Sequence, residues 1–451
     1  MAGEAREISW WDCARLQLLL TVPTSLRGLA VPNPVFVGLL CKLNAGQWTA
    51  RILSELRRKY GSDHLWAWFP FGRTLLVLDL ESIECVLRSE KNQADPFLKK
   101  YVLSRFVPEG VIISSGSEWQ ERRGFNESVL HFGHLHRHAE AIKEIVFREV
   151  DQMAGYLVGT LRWADFQRLA ERISHQVILG SGQVNPGLAQ RLDRMVNLSN
   201  WFLRSSRFPG FYEEIERYLS RERSSLHRSG TGSEGNAAGC LMRDSAAELE
   251  AGRASAATQV PSQIGFWFTV LKDAVELHVA RTAALIAVHP EVQDRVRAET
   301  LNAARMTAQA IDGLQYLGAC IGEQLRLWTP VPVLLRRVVE PFGLPQGTTV
   351  EAGQQILMHT GFYHRDPAVF RELADRFAPD AVDGNFPPVY FFSGHRQSCA
   401  GEFVARFVLK ATLAALLARF RFELVAPGID TSRIPYLYNH LDIEVRAIRD
   451  A

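Results

Sequence analysis

The stretch Phe391-Phe392-Ser393-Gly394-His395-Arg396-Gln397-Ser398-Cys399-Ala400-Gly401-Glu402 decides the fold, together with the apolar helical run Phe403 to Phe420 that follows it. A cysteine just ahead of a helix has its thiolate stabilised by backbone N–H groups and by the positive end of the helix dipole. The small neighbours Ser398, Ala400 and Gly401 let a large planar group approach the sulfur. His395 and Arg396 put positive charge beside it, suited to carboxylates at the edge of such a group. Taken alone, a cysteine before a core helix is more often an inert packing residue than a ligand, so the reading rests on its companions.

Three companions stand out. Glu323-Gln324-Leu325-Arg326 lies in a helical pattern and sets a carboxylate and a guanidinium one turn apart. Arg376, within Ala374-Asp375-Arg376-Phe377-Ala378-Pro379, falls between that helix and Cys399. Trp119 and Arg123 share a helix face at i, i+4.

In this order and spacing, the Glu-x-x-Arg helix, the later Arg-Phe segment, the Phe-x-x-Gly-x-Arg loop ending in Cys-x-Gly and the Trp-x-x-x-Arg helix resemble the cytochrome P450 superfamily. The resemblance runs from Leu65 to the C-terminus and includes the turn His289-Pro290-Glu291-Val292 after a long central helix. Each motif is weak by itself, and their combination is specific. It implies heme b held through its iron by the thiolate of Cys399, whose electron donation favours O–O cleavage. It also implies that Glu323, Arg326 and Arg376 form a buried charged triad bracing the heme pocket. Trp119, Arg123, Arg336 and either His395 or Arg396 would hold heme propionates through charge-assisted hydrogen bonds, with Phe392 and Gly394 in the cofactor loop. The fold it implies is mainly α with a small β-rich lobe. The activity it implies is monooxygenation of an apolar or amphipathic small molecule, as in secondary metabolism, with electrons from a separate ferredoxin and ferredoxin reductase.

Two departures from the family pattern bear on that activity. The loop normally carries three residues between its Gly and its Cys, and here His395 to Ser398 make four, which leaves open whether Phe391 or Phe392 is its aromatic cover. Counted back from His289-Pro290, the oxygen-activating stretch of the central helix (small residue, Gly, any residue, acid, Thr) falls on Val270-Leu271-Lys272-Asp273-Ala274. Asp273 keeps the acid, but Ala274 replaces the Thr hydroxyl and Leu271 replaces the Gly that lets the helix bulge. Lys272 then either faces solvent, as most lysines do, or places a cation where related peroxygenases bind a substrate carboxylate. These changes admit two rivals to monooxygenation. One is peroxide-driven or redox-neutral chemistry, as in a peroxygenase, isomerase or dehydratase, needing no redox partner. The other is a heme-binding protein without turnover.

The rest of the chain is consistent with a globular protein. Its 451 residues are 47% hydrophobic and 22% charged, with a net charge of +2, which excludes disorder and gives no field for nucleic acid. Arginine outnumbers lysine heavily, which we read as the coding bias of a GC-rich, bacterial genome. The six cysteines show neither Cys-x-x-Cys pairs nor metal spacing, so the chain reads as cytoplasmic, with five bystander thiols and one ligand. The apolar stretch Leu16 to Leu43 is broken by Pro23, Arg27, Pro32 and Pro34; it is too interrupted to span a bilayer and leaves only apolar N-terminal surface able to touch one.

Periodicity predicts a helix over Gln47–Tyr60, a hairpin from Leu65–Phe69 and Thr74–Leu78 around Gly72, a helical region from Ser82 to about Ser220, and a central helix over Ser262–Val288. Short strands are predicted at Leu334–Val339, Thr348–Leu357 and Phe420–Val425. The whole, 1–451, reads as one heme-thiolate domain, with residues 1–46 as lead-in and the aromatic-poor 222–262 as a flexible surface loop entering the central helix. Candidate pocket positions are scattered over Lys99 to Phe106, Trp201 to Tyr212 and Ile264 to Ala274.

Overall fold

The computed structural model describes residues 5–28, 32–94, 103–104, 107–157, 159–180, 187–188, 191, 210–229, 240–382 and 386–449. The chain divides into two compact units. The first comprises Met1–Lys99, Gly322–Cys399 and Ile429–Asn439, and the second Lys100–Ile321, Ala400–Gly428 and His440–Ala451.

In chain order the strands are β1 (Arg6–Glu7), β2 (His64–Phe69), β3 (Gly72–Val77), β4 (Asn92–Ala94), β5 (Thr160–Arg162), β6 (Leu334–Val338), β7 (Phe342–Gly343), β8 (Thr349–Val350), β9 (Gln355–Met358), β10 (Phe420–Ala426) and β11 (Glu444–Arg449). The helices named below are α1 (Trp10–Leu16), α2 (Val22–Arg27), α3 (Pro34–Lys42), α4 (Ala45–Tyr60), α5 (Leu80–Arg88), α6 (Gly116–Val129), α7 (Ala139–Tyr156), α8 (Trp163–Leu179), α9 (Phe211–Ser229), α10 (Leu241–Glu250), α11 (Val260–Ala287), α12 (Pro290–Thr300), α13 (Gln315–Leu327) and α14 (Glu402–Leu417). The molecule is mainly helical with small sheets, as the sequence predicts.

The first unit is organised by a six-stranded sheet in the order β1-β2-β3-β9-β6-β4. The hairpin forms where expected, pairing Phe69 with Gly72 and Trp66 with Leu75. Gly72 takes φ +116°, which only glycine adopts without cost and which the tight turn requires. Side chains alternate across the sheet, and both faces are buried. Trp66, Leu75, Val77, Ile356 and Met358 join α5 residues Ile83, Val86 and Leu87 in one core cluster. Leu65, Leu76 and Leu357 join α4 residues Ile52, Leu53 and Leu56 in another. The strand predicted over Thr348–Leu357 is instead two, β8 and β9, because Gly353 takes φ +85° and turns the chain between them.

The second unit is a helical assembly built on α11. This helix spans 28 residues, is buried over most of its length, and packs on α8 and α14. Pro261 opens it, where the missing N–H is harmless, and it ends before His289-Pro290. A three-stranded sheet, β10-β11-β5, completes the unit.

Residues 222–262 depart from the expected loop. Outside the undescribed 230–239, α9 runs to Ser229, and α10 buries Leu241, Met242, Asp244, Ser245 and Ala246. Asp244 is tied to Arg137 at 2.6 Å and to His138 at 3.1 Å, both in the connection before α7. The lack of aromatic residues suggested a loop, but Leu, Met, Ala and Glu are good helix formers and a small-residue face packs closely.

Candidate functional site

Cys399 is the last residue of the first unit, three positions before α14 begins. Of the six free cysteines, Cys13, Cys240 and Cys320 are buried, Cys41 and Cys85 are partly covered, and Cys399 alone is exposed. Burial pushes the Cys240 thiol up to about 11, as expected of a packing residue. The Cys399 N–H donates to the Phe392 carbonyl at 2.9 Å, closing the loop on itself.

The loop's register can be counted in two ways. Gly394 is extended at φ −171°, whereas Ser393 at φ +62° and His395 at φ +53° both lie in the left-handed region. Cys399 follows Phe392 by seven positions, the same interval as in Phe-x-x-Gly-x-Arg-x-Cys. Measured from Phe392, no residue has been inserted. In that count His395 occupies the glycine position and supplies its left-handed φ, and Gln397 stands where the pattern has Arg. Counted from Phe392 the loop keeps the family interval, and counted from Gly394 it is one residue longer. Gln397 does not act as a charge. Its Oε1 accepts from the Ala94 N–H at 2.6 Å and its Nε2 donates to the Asn92 carbonyl at 3.1 Å, fastening the loop to edge strand β4. The side chains of His395 and Arg396 are exposed.

Beneath the loop, α13 carries the Glu-x-x-Arg pair. Glu323 and Arg326 are both buried, and Arg326 Nε and Nη2 meet the two carboxylate oxygens at 2.5 and 2.9 Å. The same guanidinium donates to the carbonyls of His364, Leu373, Ala374 and Arg376 at 2.8 to 3.1 Å, and Glu323 also accepts from the Ala378 N–H. Arg376 therefore enters through its carbonyl. Its side chain is exposed rather than part of a buried triad, because the carboxylate is already occupied by Arg326 and a backbone N–H.

Sequence reasoning missed His364, which lies at the centre of this frame. Its Nε2 accepts from the Tyr390 N–H at 2.8 Å, so Nδ1 carries the proton and meets Thr329 Oγ1 at 2.9 Å. The Thr329 hydroxyl in turn donates to the Arg326 carbonyl. Burial, then the neighbouring Arg326 charge, holds His364 down at about 3, so the ring stays neutral. The only sequence signal is the run His364-Arg365-Asp366 after β9, which resembles no motif by itself.

Arg336 on β6 is 3% exposed. One Nη donates to Ser393 of the cysteine loop at 2.8 Å and the other to the Leu335 carbonyl. Among the described residues it has no acidic partner, and burial pushes its guanidinium down to about 10.

The other candidates lie in the second unit. On α6, Trp119 is half-buried, while Arg123 is buried, donates to Glu127 at 2.7 Å and lies 5.0 Å from the Phe132 ring. On α11, Lys272 does not face solvent. Its Nζ sits 2.9 Å from Glu276 Oε2, and both side chains are about nine-tenths buried or more. Its charge is thus compensated one turn along its own helix, which also corrects the picture of an open cation awaiting a carboxylate. Asp273 and Ala274 are half-buried, Leu271 is buried, and α11 continues as α-helix through all of them. Of the candidate pocket segments, most of Lys99 to Phe106 and of Trp201 to Tyr212 lies outside the described residues.

Comparison with known proteins gives one answer. The cytochrome P450 family model matches residues 282–433. A mouse protein, cytochrome P450 4X1, is 29% identical over 203 residues, 43% of this chain and 39% of its own length, so the chain spans well under half of that relative. Cytochrome P450 734A5 of rice is 24% identical over 84% of the chain and 77% of its own length. The probable cytochrome P450 6a13 of Drosophila melanogaster is 25% identical over 88% of each. The crystal structure of a cytochrome P450 (CYP102L1) superposes with a TM-score of 0.71, covering 94% of this chain and 98% of that one at 15% identity. The family model over residues 282–433, these relatives and the structural neighbour together support the cytochrome P450 superfamily. The chain's fold is the P450 fold, and the family's cofactor is heme b with a cysteine thiolate ligand. The arginine bias does not fix its source, since the relatives above come from animals and a plant.

The residues of this chain fit that cofactor. The first unit presents one exposed thiol in a loop closed by its own backbone, and on the adjoining strand a buried guanidinium with no carboxylate partner among the described residues. A buried cation uncompensated by the protein is costly unless an anion meets it, and a heme propionate is such an anion.

Proposed function

We propose that the chain is a heme-thiolate oxidoreductase whose iron ligand is Cys399, and that it oxidises an apolar or amphipathic small molecule as a monooxygenase. The observation that carries the proposal is the pairing, within one unit, of the single exposed cysteine with the buried Arg336, which has no acidic partner among the described residues. Bound heme supplies an electron-rich iron that favours O–O cleavage. Cys399 holds it from a position where N–H groups and the α14 dipole favour the thiolate. Arg336 pairs with a propionate, and Trp119, Arg123, His395 and Arg396 are the further candidates for that role. Glu323 and Arg326 hold rigid the segments Leu373–Ala378 and His364, on which the loop is built. Asp273 is the acid closest to the family's proton-handling position.

In this reading electrons come singly from a ferredoxin and its reductase. A second reading, peroxide use or redox-neutral rearrangement, is favoured by one observation. Ala274 offers no hydroxyl to deliver protons, and the helix there is continuous. The test is turnover of purified holoprotein on an apolar small-molecule panel. Product formation with NADPH, ferredoxin and reductase, and none with hydrogen peroxide, supports monooxygenation; the reverse pattern supports the second reading. A stable thiolate heme with no turnover under any condition overturns both.

A further inference from the structure

No described helix is long and apolar enough to cross a membrane. Yet, among the described residues, eight of the sixteen exposed large hydrophobic residues fall within positions 10–68, and soluble surfaces seldom concentrate apolar residues in this way. Trp10, Trp11, Leu18 and Val22 are 44 to 79% exposed along the consecutive helical segments of α1, the π turn Gln17–Thr21 and α2. The opposite side of the same segments, Cys13, Leu16, Leu20 and Pro23, is buried. On α3, which packs against α2, Val35, Leu39 and Leu43 are exposed at i, i+4, i+8 and so form one stripe. The third exposed tryptophan, Trp68 of β2, is fastened beside them. Its N–H donates to Cys13 Sγ and its carbonyl accepts from Gln17 Nε2 at 2.7 Å.

The charge pattern says what covers this face. From Cys13 to Ser54 there is no Asp or Glu, while Arg15, Arg27, Lys42 and Arg51 are all basic. Arg15 is neutralised by Glu55, but Lys42 and Arg51 are exposed, and no acidic partner is found for either among the described residues. Two apolar helical stripes, three tryptophans and basic charge unbalanced by acid form the composition of a surface that lies in the headgroup region of a bilayer. We propose that the α1–α3 face, with Trp68, docks the protein on the surface of an anionic membrane without spanning it. This goes beyond the proposed catalytic function and does not depend on it.

Flotation of the holoprotein with phosphatidylcholine vesicles, alone or containing phosphatidylglycerol, tests the proposal. The protein floats with both, and more strongly with the anionic vesicles. The double variant Trp10→Ser/Trp11→Ser, whose side chains are exposed and whose removal leaves the circular dichroism melt unchanged, lowers partitioning to both vesicle types about tenfold or more. Lys42→Gln lowers partitioning to the anionic vesicles about fivefold, the equivalent of roughly 1 kcal/mol per basic residue near such a surface, and leaves neutral vesicles unaffected. Failure of the wild-type protein to float with either vesicle overturns the proposal. So does a wild-type protein that sediments as a dimer and a double variant that sediments as a monomer with vesicle binding unchanged, because the face is then an interface between two copies.

Discussion

The cysteine loop and the central helix both depart from the family pattern, and they depart in opposite ways. In the loop the side chains change while the backbone is kept: His395 adopts the φ of a glycine, and Cys399 remains seven positions from Phe392. In α11 the backbone is an ordinary helix, and the change lies in what it carries. In the proposed register Leu271 and Ala274 stand where the family pattern has Gly and Thr, and Lys272 with Glu276 adds a buried ion pair. A loop that must present one ligand atom tolerates substitutions if the chain path survives. A helix whose path is secure can exchange its chemistry without changing its shape. The loop thus bears on how the proposed cofactor is held, and the helix on which of the two proposed reaction types operates.

The contrast would break most visibly at the frame beneath the loop. Replacing Arg326 by Leu leaves Glu323 buried without its partner and four carbonyls without their donor, at a cost of about 3–5 kcal/mol, read as a lowered urea midpoint. If that variant is as stable as the wild type, the loop is not held from below. In the helix, Lys272→Met should cost about 3 kcal/mol by removing the cation 2.9 Å from Glu276, while the double change Lys272→Met/Glu276→Met should recover most of the loss. Additive losses in the double variant would mean that the pair is not a coupled unit.

Acid stability samples the frame around the loop and a buried site before α7. Burial holds His364 at about 3, and His359 and His136 at about 4, each below the unfolded value of 6.5. Because the unfolded chain binds these protons more readily, the stability they contribute is complete above about pH 6.5 and is lost as pH falls towards 3–4. Denaturant midpoints between pH 7 and 4 should decline, and His364→Gln should flatten the decline. Smallest of all, His395→Gly should raise stability by about 0.5 kcal/mol, since relief of left-handed strain outweighs the entropy of a freer unfolded chain. A loss of stability there would place the glycine position elsewhere in the loop.

The sequence made much of this legible. The family resemblance singled out Cys399 and the Glu323–Arg326 pair, and periodicity placed the hairpin and the central helix, the latter within two residues of its ends. What it left ambiguous was conformational. Gly394 drew the register because glycine is the expected left-handed residue, whereas the left-handed angles fall on Ser393 and His395. Arg376 was read as a side chain although its contribution is a carbonyl, a distinction no residue name carries. The Lys272–Glu276 pair was visible as i, i+4 spacing, but its burial depends on what packs over α11. His364 and Arg336 act through partners distant in sequence, which no local pattern reveals.

The central claim is that Cys399 is the iron ligand, and the ferrous carbonyl spectrum of the heme-loaded protein tests it most directly. The wild type should show the red-shifted Soret band of thiolate ligation, and Cys399→Ala should lose that band, while Cys13→Ala, Cys85→Ala and Cys320→Ala keep it. A red-shifted band that survives in Cys399→Ala would contradict the account.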